Sequence, residues 1–431
     1  MVPMTKTNKV LMLVENASMP FDNRVWAEAT SLRALGFQVS VISPKGSEMD
    51  RESYICIEGV HIYRYKLPTI TNKYAAYILE YTVAIFMTFL LSFKVLFRHG
   101  FDVIHTANPP DIFFLIGLFY RVFGKKFVFD QHDLSPEVFQ VKFNGGMKLL
   151  HRFLLFVERC SYQTAEVVIT TNASQKRFAI ERGHCDPDKV FIVRNGPELD
   201  RIKLVRPEPE LKRGRRYLLA YVGSMEVQYG VEYALYALHD LVYKRGRQDV
   251  SLVLMGDGGQ TSALRALAYE LQLDEYVYFT GWLLAEDIVR YLTVADVGLT
   301  TCPKNAHNEY ATPVKTMEYM AMGKPGVAFD LAETRFSAQD AALYATPNVA
   351  EDFANKIETL LDDEELRLRM GALGRKRIEE GLNWDYDKLN LLQAYKKLFP
   401  LSFKSLVSDG DNNGRVNLSA DKHESIPSLT E

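Results

Sequence analysis

The residues best suited to do chemistry lie in Thr312-Pro313-Val314-Lys315-Thr316-Met317-Glu318-Tyr319-Met320-Ala321-Met322-Gly323-Lys324-Pro325. The stretch predicts a short helix capped by Thr312, with Pro313 at the first helical position, where a missing N–H costs nothing. The free amides of Val314 and Lys315 then point out of the helix start, an arrangement that takes a phosphate. Lys315 and Glu318, three apart, share one face and offer an ammonium and a carboxylate together, while Val314, Met317 and Ala321 form an apolar face. Gly323 ends the helix, and Pro325–Asp330 reads as a short buried strand. A purely structural helix would carry the same pattern, so this stretch alone leaves both uses open.

Three glycine turns belong beside it: Val222-Gly223-Ser224-Met225, Leu254-Met255-Gly256-Asp257-Gly258-Gly259 and Phe279-Thr280-Gly281-Trp282. Singly, each reads as a tight turn. All three, with the loop Cys302–Thr312, fall at the carboxyl ends of predicted strands of one sheet, and that joint placement favours a nucleotide-sized ligand. No Asp-x-Asp pair stands at a strand end to hold a metal against a diphosphate. The four cysteines, Cys56, Cys160, Cys185 and Cys302, show neither CxxC nor Cys/His spacing, so no metal site or disulfide framework is expected, and a reducing compartment fits.

The elements that must position these loops follow from apolar periodicity. With 431 residues the chain exceeds what one core serves, and two α/β domains are expected. Strand-like runs at Val10–Val14, Val39–Ile42, Val60–Tyr63, Val103–His105, Phe127–Phe129, Val167–Thr170 and Val190–Val193 alternate with helical patterns. A second series runs through Tyr217–Val222, Leu252–Met255, Val277–Thr280, Val297–Thr300, Gly326–Phe329 and Leu343–Ala345. Such alternation means parallel sheets covered by helices. The charged, proline-rich Arg206–Gly214 segment puts the boundary near residue 205, giving a first domain of 1–204 and a second of 205–382 with a ligand cleft between them. Residues 406–431 lack periodic apolar positions and read as disordered.

Lys plus Arg (51) nearly balance Asp plus Glu (54), so no broad pull toward nucleic acid exists. The apolar run Lys9–Glu15 is strand-like rather than a secretory leader, so the protein is expected to stay in the cytoplasm. Residues 74–97 are strongly apolar, but Glu80 and Lys94 leave fewer uncharged residues than the ~20 a spanning helix needs. Two readings fit them: a buried helix of the first domain, or a segment lying in a bilayer interface with Lys94, Arg98, Arg121, Lys125 and Lys126 facing anionic lipid.

The sequence resembles the retaining sugar-nucleotide glycosyltransferases of family 4, whose fold is GT-B: two Rossmann-like domains facing each other across a cleft. The resemblance covers nearly the whole chain. Its most specific parts are Pro313–Pro325, which matches the family's P-x-K-x-x-E-Y-M-A-x-G-x-P block, and Val277–Gly281 with Ala295-Asp296-Val297. In the first domain, Pro20-Phe21-Asp22-Asn23-Arg24-Val25, Asp130-Gln131-His132-Asp133-Leu134-Ser135-Pro136-Glu137 and Val193-Arg194-Asn195-Gly196-Pro197 resemble a bacterial envelope-polysaccharide branch. Asn383-Trp384-Asp385-Tyr386 is similar to the start of the family's closing helix, so 383–405 is expected to cross back to the first domain.

The resemblance implies roles. Glu318 accepts hydrogen bonds from the ribose hydroxyls; His132 faces the donor sugar, although a histidine that merely shapes the turn before Asp133 fits as well; Trp282 stands where the base is contacted. Asn23, Arg24 and Asp133 belong to loops that receive the acceptor. Gly223, Ser224, Gly256, Thr312, Val314 and Lys315 border the donor. Two departures stand out. Tyr310 occupies the place of the first acid of the family's Glu-x7-Glu pattern, and Glu309 is its nearest substitute. Ser224 and Tyr229 stand where the family has an arginine and a lysine gripping the diphosphate, so Lys304, Lys315 and the helix amides must supply that charge, with Lys304 the leading choice. The implied activity is metal-independent, cofactor-free transfer from a nucleoside diphosphate sugar to a glycan or polyprenyl-linked glycan at the inner membrane face. A sugar-nucleotide epimerase and a non-catalytic scaffold remain the alternatives.

Overall fold

A computed structural model describes residues 8–46, 52–68, 73–143 and 147–400. Two sheets organise them. The first contains β1 (Lys9–Leu13), β2 (Gln38–Pro44), β3 (Tyr54–Ile57), β4 (Val60–Tyr65), β5 (Val103–Ala107), β6 (Lys126–Gln131), β7 (Val167–Thr170) and β8 (Val190–Ile192). Its spatial order is β3-β4-β2-β1-β5-β6-β7-β8, parallel throughout except for the β3–β4 hairpin. The second holds β9 (Tyr217–Val222), β10 (Val250–Met255), β11 (Val277–Gly281), β12 (Val297–Thr300), β13 (Gly326–Phe329) and β14 (Ala342–Ala345), ordered β11-β10-β9-β12-β13-β14 and wholly parallel. That is the doubly wound order, in which the direction of winding reverses between β9 and β12 and opens a crevice at the strand ends.

Around the first sheet lie α1 (Asn23–Ala34), α2 (Lys73–Arg98), α3 (Phe114–Arg121), α4 (Ser135–Lys142), α5 (Lys148–Thr164) and α6 (Ala173–Glu181). Around the second lie α7 (Glu232–His239), α8 (Thr261–Glu270), α9 (Ala285–Val294), α10 (Val314–Ala321), α11 (Ala332–Ala338), α12 (Ala350–Asp362) and α13 (Glu364–Gly381). The last helix, α14 (Trp384–Leu398), returns to the first sheet: Leu391, Ala394, Tyr395 and Leu398 are buried in one core with Val10, Val39, Val103 and Val167.

The strands are legible because parallel strands covered on both faces need continuous apolar residues, and β9 and β10 are buried at every position. The antiparallel β3 is absent from the sequence reading. It is a four-residue edge strand, joined to β4 through Glu58 and Gly59 at φ 51° and 80°, the left-handed geometry of a tight hairpin turn.

For α2 the structure bears out the buried-helix reading on one face. Ala84, Thr88, Ser92 and Val95 are buried on its inner face, and Phe86, Leu90 and Phe97 are exposed on its outer face. Residues 401–431, with the tail expected to be disordered, lie outside the described residues.

Candidate functional site

A cavity of about 340 Å³ opens where the carboxyl ends of the two sheets meet. From the first sheet come Asn16 after β1, His132 and Asp133 after β6, Thr171 after β7 and Asn195 after β8. The second sheet supplies Gly223 and Ser224 after β9, Cys302 after β12, Leu331 and Thr334 after β13, and His307, Asn308 and residues 311–315 with Glu318 from the loop and helix between β12 and β13.

The start of α10 forms one wall because its body is locked to the sheet. Tyr319 donates to Leu299 O and accepts from Val222 N, both at 3.1 Å, and the Thr300 and Thr316 hydroxyls meet at 2.8 Å. A Cβ at Gly298 would lie 2.3 Å from the Tyr319 ring, so glycine is what lets the helix sit this low on β12. The helix begins at Val314 with Pro313 as its cap residue and no side-chain cap. Thr312 is therefore not the cap. Its hydroxyl accepts instead from Nδ2 of Asn172 in the first domain, at 3.0 Å, and the same amide donates to Tyr310 O at 2.9 Å. The amides of Val314 and Lys315, in the first helical turn, have no intrahelical acceptor and border the cavity.

Lys315 is buried, with its ammonium 4.7 Å from the Tyr229 ring centre and 5.1 Å from that of Tyr221. It forms no ion pair among the described residues, and it is the one lysine or arginine that lines the cavity. The tyrosine found where a clamping lysine was expected thus serves as the platform for a different lysine. Space above Gly223 is what admits it: a Cβ there would lie 3.3 Å from Lys315 Cε, and the backbone stands at φ 129°. Glu318, one turn on, is half-buried at the cavity wall. Burial raises its carboxyl above the usual range, and Lys315 pulls the other way.

On the opposite wall, His132 is fixed by three hydrogen bonds and by its neighbour Asp133. Asn108 Oδ1 accepts from its backbone N–H at 2.6 Å, Gln175 Nε2 donates to its carbonyl at 3.0 Å, its Nε2 lies 2.6 Å from Asp130 Oδ2, and Asp133 N also donates to Asn108 at 3.1 Å. Asp130 is gripped in turn by Arg24, with Nη2 at 2.8 Å and Nε at 3.3 Å. Glu28 lies 3.2 Å from the same guanidinium, and His105 Nε2 sits 3.5 Å from Glu28 and 3.6 Å from Asp130. All are fully or almost fully buried. Burial works against charge on Asp130, but Arg24 and the two imidazoles outweigh it and hold the carboxyl well below its usual range. Burial, with that carboxylate beside it, drives Glu28 well above its own range. Burial lowers His105 below the usual imidazole range.

Glu28, His105 and Asp130 bring three ligand-type atoms within 4.8 Å of one another. The Arg24 guanidinium already neutralises this cluster, and a dication added there would face a fixed positive charge. Its residues therefore do not fit a metal.

Of the residues singled out in the sequence, the structure brings His132, Asp133, Gly223, Ser224, Thr312, Val314, Lys315 and Glu318 to the cavity. The others lie elsewhere. Lys304 is 55% exposed, outside the cavity and 3.6 Å from Glu309, so the two expected catalytic groups answer each other. Trp282 is exposed at 58% and meets the edge of Phe21 across the cleft mouth, because it follows β11, an edge strand two places out from β9 and the crevice. Gly256 lies beneath the Gly223 loop, where a Cβ would come within 2.1 Å of Gly223 O, so it shapes that loop without bordering the ligand space. Asn23 only opens α1, and Arg24 points inward to Asp130, Val193 O and Asn195 Oδ1 rather than toward an acceptor. Asp130 and Asn195 were missed. Asp130 stands two residues before His132, a spacing that puts both on one side of a strand end.

A pair of sheets meeting at their carboxyl ends, with one helix start and one lysine facing a first-domain histidine, defines the GT-B fold. The family model for "Glycosyltransferase Family 4" matches residues 23–201 and that for "Glycosyl transferases group 1" matches 216–363, and the chain belongs to this family of glycosyltransferases. It is 31% identical to alpha-D-kanosaminyltransferase of Streptomyces kanamyceticus over 157 residues, 36% of this chain and 39% of that protein. The chain thus spans about two fifths of that relative's length. In fold it is similar to sucrose-phosphate synthase from Thermosynechococcus elongatus (TM-score 0.74, 18% identity, 91% of this chain and 99% of that one). HepE of Anabaena, solved with UDP-glucose, gives a TM-score of 0.66 at 14% identity over 91% of this chain and 100% of that one.

Proposed function

We propose that the cleft carries out retaining, metal-independent transfer of a sugar from a nucleoside diphosphate donor to a glycan or polyprenyl-linked glycan in cell-surface polysaccharide synthesis. One observation carries the reading: Lys315 and Glu318, three residues apart on one helix, face the same cavity whose far wall is His132. A vicinal diol is suited to a carboxylate that accepts two hydrogen bonds, which gives Glu318 the ribose. The diphosphate then lies over Gly223, between Lys315 and the amides of Val314 and Lys315, where a fixed ammonium and helix-start dipoles meet the charge that grows as the sugar leaves. UDP-glucose in HepE supports a donor of this chemistry.

The acceptor hydroxyl enters from the first-domain wall, along Asn16, His132 and Asn195. Asn172, bonded to the loop before α10, holds the two walls together and so limits water at the reacting carbon. The test is a panel of uridine, guanosine, adenosine and thymidine diphosphate sugars, assayed for binding, donor hydrolysis and transfer to lipid extracts. Binding with sugar release or transfer is expected for at least one donor. Isomerised donor without transfer would make the protein an epimerase, and binding without any turnover would make it a scaffold.

A further inference from the structure

The first domain carries a surface that the cleft does not use. Thirteen of the twenty-six large apolar side chains exposed among the described residues fall between Leu79 and Phe156, and they lie on α2, α3 and α5 or the turns beside them. On α2 the exposed positions are Leu79, Phe86, Leu90 and Phe97, separated by seven, four and seven residues, so they form one stripe along the helix. On α3 and its exit, Leu115, Leu118, Val122 and Phe123 do the same, and on α5 Leu149, Phe153 and Phe156. The helices adjoin: Phe119 meets Phe89 at 5.0 Å and Phe93 at 5.7 Å, and α3 also packs on α5. Each helix therefore has an apolar inner face in the core and a second apolar face outside.

The charges on these helices are one-sided. Their outward cations are Lys94, Arg98, Arg121, Lys148, Arg152 and Arg159. The acids with described side chains are Glu80 and Glu158, and Glu158 is buried. Lys148, Arg152 and Arg159 have no ion-pair partner among the described residues. The whole chain is slightly acidic, at −3, so this basic character is local.

We infer that α2, α3 and α5 form a monotopic membrane-docking face, which lays Phe86, Phe97, Phe123 and Phe156 into the headgroup boundary of an anionic bilayer while the surrounding lysines and arginines meet its phosphates. Charge selects this occupant. A second copy seated on the same face by a two-fold axis would bring basic residues against basic residues, whereas anionic headgroups complement them. By length and composition α2 could cross a bilayer, but its inner face, where Ala84, Thr88, Ser92 and Val95 are buried, packs on the first sheet, which favours a helix lying in the interface. Apolar stripes with basic flanks bind in the interface plane, through buried apolar area together with attraction to anionic lipid. The inference does not depend on the chemistry proposed for the cleft.

The experiment is flotation of the full chain with vesicles of phosphatidylcholine alone and with phosphatidylglycerol added, at low salt and at about 0.5 M salt, where exposed charges are largely screened. Two triple variants, F97S/F123S/F156S and K148E/R152E/R159E, change only exposed side chains. The wild type should float with anionic vesicles and release at high salt, and each variant should lose about tenfold in partition, with thermal unfolding and nucleoside diphosphate binding as in the wild type. Three results would overturn the inference: no flotation with anionic vesicles, flotation undiminished in both variants, or a wild-type dimer abolished by the phenylalanine variant with no vesicle binding. Loss of donor binding in the wild type would instead count against the cleft chemistry and leave this inference standing.

Discussion

Oδ2 of Asp130 lies 2.6 Å from Nε2 of His132, and the same carboxylate is held by two nitrogens of Arg24. This pairing fixes how the ring stands: its Nε2 side is held inward by the Asp130 carboxylate, and the rest of the imidazole meets the cavity. Asp130→Asn would keep the shape and remove the charge that holds it. Sugar release or transfer should fall by about 10²-fold or more, while nucleoside diphosphate affinity stays within about threefold. A loss of nucleotide affinity as large as the loss of rate would mean that Asp130 acts through folding alone.

Arg24→Met separates stability from chemistry in the same cluster. Removing the guanidinium leaves Asp130 buried without its main partner, and breaking a buried pair in this way costs about 3–5 kcal/mol. Urea unfolding should register that loss.

Two lysines compete for the diphosphate, and the geometry ranks them. Lys315→Met keeps the packing over Tyr221 and Tyr229 but removes the charge, so titration calorimetry should find nucleoside diphosphate affinity reduced by about 10- to 100-fold, in line with the ~1.5–3 kcal/mol of a charged hydrogen bond. Lys304→Ala, on a side chain outside the cavity, should leave affinity within about twofold.

Glu318→Gln tests the ribose contact. The amide accepts hydrogen bonds less strongly than a carboxylate, and the donor should bind about tenfold more weakly. A nucleotide lacking both ribose hydroxyls should bind the wild type and the variant alike, because the interaction then has nothing left to lose.

Stability should depend on pH through Glu15. Burial, reinforced by Glu80, pushes its carboxyl up to about 8 from an ordinary 4.5, and its Oε1 has no hydrogen-bond partner. The folded protein keeps this proton where the unfolded chain has lost it, so the stabilisation is whole below about pH 4.5 and fades as pH rises to about 8. Glu15→Gln should flatten that decline and raise the melting temperature at pH 8.5, by an amount on the order of a few kcal/mol in stability. Identical pH profiles for the two proteins would show that the carboxyl is solvated in solution.

Both sheets except the edge strand β3 were legible in the sequence because their covered strands had to be apolar on two faces, and the shared face of Lys315 and Glu318 was legible because helical spacing is rigid. The unread parts depend on the path of the backbone between elements. Lys304 and Glu309 lie in a loop without periodicity, so nothing in their spacing tells that the two side chains turn toward each other. Thr312 reads as a cap until Asn172, 140 residues earlier, claims its hydroxyl. The family resemblance puts Arg24 on the acceptor side, yet a buried Asp130 and Glu28 draw it inward. Only the alternate placement of Asp130 and His132 could have pointed there.

The return of α14 has a consequence for how the chain is made. Tyr395 donates or accepts a hydrogen bond with His105 Nδ1 at 2.8 Å, and Leu391, Ala394 and Leu398 fill the first core beside Val10 and Val103. On the ribosome, the half that emerges first therefore waits, with an apolar side uncovered, until nearly four hundred residues have been synthesised. Neither half is a portable cassette: exchanging the nucleotide half with that of a relative would also exchange the piece that finishes its neighbour.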